Sequence, residues 1–147
     1  MKKKRIWVIL FGLYCALMLW LLFDRTGYID GIPYEDQLKM NLLPFRTIRL
    51  FLGLLNHPVF RWDAVINLLG NIIMFIPLGF LLPKVFGKLD RFWKVLLTTA
   101  GIIIVVEIAQ LLTLLGSCDT DDLILNVLGA AIGYGIHKII LKMSLSG

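Results

Sequence analysis

The chain has 147 residues, room for one domain spanning 1–147. Hydrophobic residues make up 59% of it and its mean hydropathy is +0.83, which argues against an ordinary water-soluble globule: a surface facing water needs polar cover, and a surface facing lipid does not. The net charge of +5 does not point to nucleic acid, because Lys and Arg stand in short clusters beside apolar runs, the pattern of membrane topology.

In chain order, the apolar stretches long enough for the roughly 20 helical residues that cross a hydrocarbon core are 6–23, 64–82, 92–115 and 123–141. They predict an all-α, polytopic membrane fold of four transmembrane helices plus one short external helix. The first stretch follows Lys2, Lys3, Lys4 and Arg5, as a signal peptide would. It is long for that role, lacks a small-residue cleavage site and ends in Trp20-Leu21-Leu22-Phe23-Asp24-Arg25, so it reads as a retained signal anchor. After it, Asn41-Leu42-Leu43-Pro44-Phe45 leads into an apolar segment, 46–55, interrupted by Arg46 and Arg49. That segment is too short to span. It predicts an interfacial or re-entrant helix with Pro44 in its first turn, both arginines on one face, and His57-Pro58 ending it. An ordinary amphipathic loop helix packed on the bundle is the competing reading.

Charge counting sets the orientation. One side of the membrane receives residues 1–5, the 83–91 loop with Lys94, and the C-terminal tail, carrying ten cations and the single acid Asp90. The other side receives 24–63 and 116–122, carrying Arg25, Lys39, Arg46, Arg49 and Arg61 against eight acids. The excess of Lys and Arg predicts that the first side, with both termini, is cytoplasmic.

Polar side chains are costly in lipid, so their positions are informative. Asn67 and Asn71 are one turn apart, Glu107 and Gln110 share a face, and Asn126 follows Asp122 by one turn. At ~1.5 Å per residue, Asn71 lies about 10 Å, Glu107 about 12 Å and Asn126 about 5 Å below the outer surface. All five intramembrane residues fall in the outer half, and one outward-opening polar site would satisfy them together. The bland alternative is that the amides merely tie helices together. It suits Glu107 less, because a charge at that depth requires a cation, water or protonation; Arg46 or Arg49 folding inward is one such partner. In the loop 116–122, Asp119, Asp121 and Asp122 stand before the last helix. Capping and the helix dipole account for one of them, Asp121 or Asp122. The set could instead hold a divalent cation, although the spacing is not that of an EF-hand. No Cys/His metal spacing occurs around Cys15 or Cys118, and neither a metal nor another cofactor is the first reading. Gly129 and Gly133 predict close helix packing, Pro77 with Gly79 a loosened second span, and His137 an interfacial position.

The segment Asn41-Leu42-Leu43-Pro44-Phe45-Arg46-Thr47-Ile48 resembles the external segment of the VanZ-like family. Asn67-Leu68-Leu69-Gly70-Asn71-Ile72, continuing through Phe75-Ile76-Pro77-Leu78-Gly79 to Pro83, resembles its second helix. Glu107 with Gln110, and Asp119-Thr120-Asp121-Asp122-Leu123-Ile124-Leu125-Asn126 with Gly129, resemble its last third. The resemblance covers residues 40–135. Many members carry an Arg shortly before the acidic loop; positions 113–118 here hold none. The resemblance implies a bacterial envelope protein, Gram-positive in context, associated with teicoplanin resistance.

Together these features give the expectation of a non-enzymatic, multi-pass cell-membrane protein. Its partners would be membrane lipid and an amphiphile: a lipid-linked cell-wall precursor or a lipoglycopeptide antibiotic. The expected ligand-binding residues are Asn67, Asn71, Glu107, Gln110, Asp122, Asn126, Arg46 and Arg49. The alternative is an intramembrane enzyme with Glu107 as general acid/base and the asparagines orienting a lipid-linked substrate. No nucleophile–base pair or HExxH supports it. A transporter would require a homo-oligomer.

Overall fold

The computed structural model describes residues 2–23, 40–113 and 118–146. Its elements in order are α1 (Lys2–Phe23), β1 (Met40–Asn41), α2 (Arg46–Leu54), α3 (Arg61–Val85), a 3-10 turn (Gly87–Leu89), α4 (Phe92–Thr113), β2 (Cys118–Asp119) and α5 (Thr120–Ser146). Four of them, α1, α3, α4 and α5, are long and apolar enough to cross a membrane. At ~1.5 Å per residue the 25-residue α3 is about 38 Å long, more than a hydrocarbon core of roughly 30 Å. Their outward faces carry exposed Leu13, Leu97, Val105, Leu112 and Ile139, a surface suited to lipid.

The helices outrun the apolar stretches that announce them. α1 begins at Lys2, α3 continues to Val85, and α5 runs from Thr120 to Ser146. Hydropathy marks where lipid begins, whereas a helix ends where its backbone groups find other partners. α3 also runs unbroken through Pro77. The end of the third span at 115 falls outside the described residues, as do 24–39 of the first loop. α2 matches the short helix expected at 46, but Pro44 stands in the turn before it. Phe45 precedes the helix in the left-handed region at φ 64°. Sequence reading missed one element pair: β1 and β2 run parallel, Met40 opposite Cys118 and Asn41 opposite Asp119.

α3 and α5 form the central pair. A Cβ added at Gly129 would collide with the carbonyl of Ile72, at Gly133 with that of Ile76, and at Gly79 with that of Ala130. Bare backbone therefore meets backbone over these turns, the approach that small residues permit. The core beside it is Met18, Phe75, Leu78, Leu82, Val95, Ile103 and Tyr134, drawn from α1, α3, α4 and α5. α1 lies against α3, with the Tyr14 hydroxyl donating to the Met74 carbonyl at 2.9 Å and Trp7 edge-on to Phe80. At the basic-loop end, Asp90 reaches α5, 2.7 Å from Lys138 Nζ and 3.4 Å from His137 Nε2. His137 is only 5% exposed, because Asp90 and the rings of Phe80 and Tyr134 enclose it.

Overpacking costs about 1–3 kcal/mol, and backbone cannot move aside as a side chain does. Gly129→Val is expected to lower the melting temperature of the detergent-solubilised protein clearly. Gly135→Ala on the same helix, where an added Cβ meets nothing within 4 Å, is expected to leave it unchanged or raise it slightly. Equal melting of the two variants would refute the central role of the α3–α5 contact.

Candidate functional site

At the acidic-loop end, three carboxylates in four positions do three different jobs. Asp119 caps α5: its Oδ1 accepts the Asp121 amide at 2.8 Å, the bond of a capping residue to the second residue of its helix. It also accepts the Asn41 amide at 3.1 Å and, through Oδ2, the Thr47 hydroxyl at 2.6 Å. Asp121 is fully buried and caps a different helix. Its Oδ1 accepts the Phe45 amide at 2.5 Å and its Oδ2 the Ile48 amide at 2.9 Å. The left-handed turn at Phe45 leaves the first amides of α2 without a local side-chain cap, and Asp121 supplies one from across the fold. Asp122 faces α3, where the Asn71 amide donates to its Oδ1 at 2.6 Å.

This corrects the expectation that Asp121 or Asp122 caps the last helix. As for the divalent-cation alternative, the carboxylates of Asp119, Asp121 and Asp122 are directed to separate protein donors. Among the described residues no cluster of three His, Cys, Asp or Glu is placed to hold a metal. The apparent surplus of acid is capping of two helices plus one interhelical bond.

Glu107 is buried on α4, and its Oε2 accepts the Asp119 backbone amide at 3.0 Å. An acid inside a span thus holds the acidic loop against α4. Gln110, one turn further, donates to the Leu22 carbonyl at 2.8 Å and ties α4 to α1. The neighbourhood is electronegative. Burial pushes the Cys118 thiol up, and the charges of Glu107 and Asp119 raise it further.

These residues surround a cavity of about 420 Å³ among α1, α3, α4 and α5, with α2 at its edge. Asn67, Asn71, Glu107, Gln110, Asp122 and Asn126 all line it, together with Asp63. The rest of its lining is mostly apolar and includes Leu21, Phe51, Ile66, Met74, Phe75, Ile103 and Val106. Asp63 was missed as a site residue because it was counted with the loop; its spacing of four to Asn67 and eight to Asn71 carried the signal. Arg46 and Arg49 do not line the cavity. Both are exposed on α2, and among the described residues neither joins an ion pair. Two acceptors in the polar wall are left over. Asn126 is 4% exposed and its Oδ1 has no partner, and the buried Oδ1 of Asn67 has none either.

Fold and site together define a helical membrane protein with a polar cleft confined to one end of its bundle. The chain belongs to the VanZ/LLP1 family, whose model matches residues 11–141. It is similar to Protein VanZ of Enterococcus faecium, 28% identical over 134 residues that cover 88% of this chain and 72% of that protein. No solved structure matches it.

Hydrogen bonds to a charged group contribute about 1.5–3 kcal/mol each. Asp121→Ala removes two such bonds and is expected to open the start of α2, read as faster maleimide labelling of a cysteine placed at Thr47. Chelator is expected to change neither the labelling nor the melting temperature of the wild type. Stabilisation by Ca²⁺ or Mg²⁺ that Asp121→Ala abolished would restore the metal reading.

Proposed function

We propose that this protein binds the polar head of an amphiphile in its cleft from the outer leaflet, and through that binding contributes to glycopeptide resistance of the teicoplanin type. The ligand is a lipid-linked cell-wall precursor or a lipoglycopeptide antibiotic. One observation carries the reading: a single cavity is lined both by acids and amides and by apolar side chains. Such a lining matches a molecule that is itself half polar and half apolar. Membership of the VanZ family supports the envelope context. The charge distribution, with ten basic residues on the other side, supports placing the cleft outward and both termini in the cytoplasm.

Binding is favoured over catalysis by what lines the cleft. Among the described residues the lining holds no Ser, Cys, His or Lys to act as nucleophile or paired base. Glu107, the residue an enzyme would use, already accepts a backbone amide.

The reading is tested by titrating the purified protein with lipid-linked precursor and, separately, with a teicoplanin-type antibiotic. Saturable thermal stabilisation without conversion of the ligand is expected; product formation would replace binding with enzymology. Glu107→Gln keeps an acceptor for the Asp119 amide, so it is expected to fold normally while weakening binding and resistance. Glu107→Ala is expected to lose stability as well, by about 1–3 kcal/mol for the unsatisfied donor. A Gln variant with full resistance would remove the carboxylate from the mechanism.

Orientation is tested in a background with Cys15 and Cys118 replaced. Impermeant maleimide applied to intact cells is expected to reach single cysteines at 42–60 and none at 86–91. The reverse pattern would turn the cleft inward and overturn the proposal.

A further inference from the structure

We propose that the head of the amphiphile taken by the cleft carries a protonated amine with neighbouring hydroxyls, and that a phosphate is not what the cleft reads. The inference rests on the amphiphile-binding function and names the chemistry of the ligand.

Three observations converge. First, the charge of the lining has one sign. Asp63, Glu107 and Asp122 contribute carboxylates, and no Lys or Arg lines the cavity among the described residues. A phosphate entering it would meet like charge and no cation, whereas an ammonium would meet opposite charge in a site of reduced dielectric. Second, two side-chain donors of the lining are engaged within the fold, and two of its buried acceptors are not. The Asn71 amide is directed to Asp122 and the Gln110 amide to the Leu22 carbonyl. The buried atoms without partners are both carbonyl oxygens, Asn67 Oδ1 and Asn126 Oδ1, and Asn126 is more than nine-tenths buried. A buried acceptor without a partner is unfavourable and calls for an N–H or O–H. Third, a bare inorganic cation would leave the wall of Leu21, Phe51, Ile66 and Met74 without a use, whereas an alkyl chain attached to the amine covers it. The head therefore supplies N–H and O–H donors with a positive charge, and the tail lies along the apolar wall.

The same chemistry could arrive on a membrane lipid, on a precursor or on an antibiotic, so matched synthetic amphiphiles separate the head from its source. The protein in phosphatidylcholine nanodiscs is titrated with dodecyl β-D-glucosaminide, with its N-acetyl form, and with dodecyl phosphate. The amine is expected to bind saturably, and its N-acetyl form on the order of tenfold more weakly, the worth of about one charge-assisted hydrogen bond. Dodecyl phosphate is expected not to compete. Glu107→Gln is expected to remove the advantage of the amine over its N-acetyl form. Asp63→Asn, at the exposed mouth of the cleft, is expected to reduce it in part without loss of melting temperature. Asn126→Leu, which removes the orphaned acceptor, is expected to weaken both sugars. Equal binding of all three amphiphiles, or preference for the phosphate, would overturn the amine assignment and leave the amphiphile cleft standing. Absence of binding by all three would overturn both.

Discussion

The acidic-loop end of this bundle depends on one buried carboxylate. α2 is nine residues long and buries none of them fully, so helix propensity and packing hold it only weakly. The Phe45 amide just before it and the Ile48 amide in its first turn both end on Asp121, which belongs to α5 and is itself fully buried. In water those amides would be solvated. Beside a hydrocarbon core they have no such recourse, and the chain must bring its own acceptor. The same constraint explains the neighbours: Asn41, Thr47 and the Asp119 amide all find partners in one connected network, and the two-residue β pairing aligns Asn41 with Asp119 so that it closes.

The cleft is the other side of that arrangement. Along α3 and α5 the backbones touch at Gly133 and Ile76, then one turn on at Gly129 and Ile72. Beyond Gly129 the next positions on that face are Asn126 and Asp122, facing Asn71 and Asn67. Polar side chains there take the place of bare backbone contact, and Asn71 and Asp122 bond directly across the two helices. These polar groups line the cavity. Backbone contact at the glycines and the polar lining beyond them both lie on the same stretch of α5.

Much of this is written in the sequence. Apolar run length announces the four long helices, and the shared faces of Asn67 with Asn71 and of Glu107 with Gln110 place them on one cavity at one end. What could not be read is which partner each group takes. Asp121 looks in sequence like a cap for the helix it begins, yet it caps a helix more than 70 residues earlier. Periodicity carries no information about contacts between distant segments, and a carboxylate is equally good for a local amide, a distant one or a metal. The arginines of α2 show the same limit. Their spacing puts them on one face, but the face that turns inward is fixed by Asp121 and by Phe51, which lines the cavity, and Arg46 and Arg49 are left exposed.

Glu107 shows how structure and binding share one residue. One of its oxygens holds the Asp119 amide, so the acidic loop, the start of α5 and, through Asp121, the start of α2 are all referred to it. The residue also lines the cavity. A cationic head drawn to that carboxylate would draw on the group that positions the roof of its own cleft. Occupancy and the placement of α2 would then be linked thermodynamically, each changing the other by the same free energy.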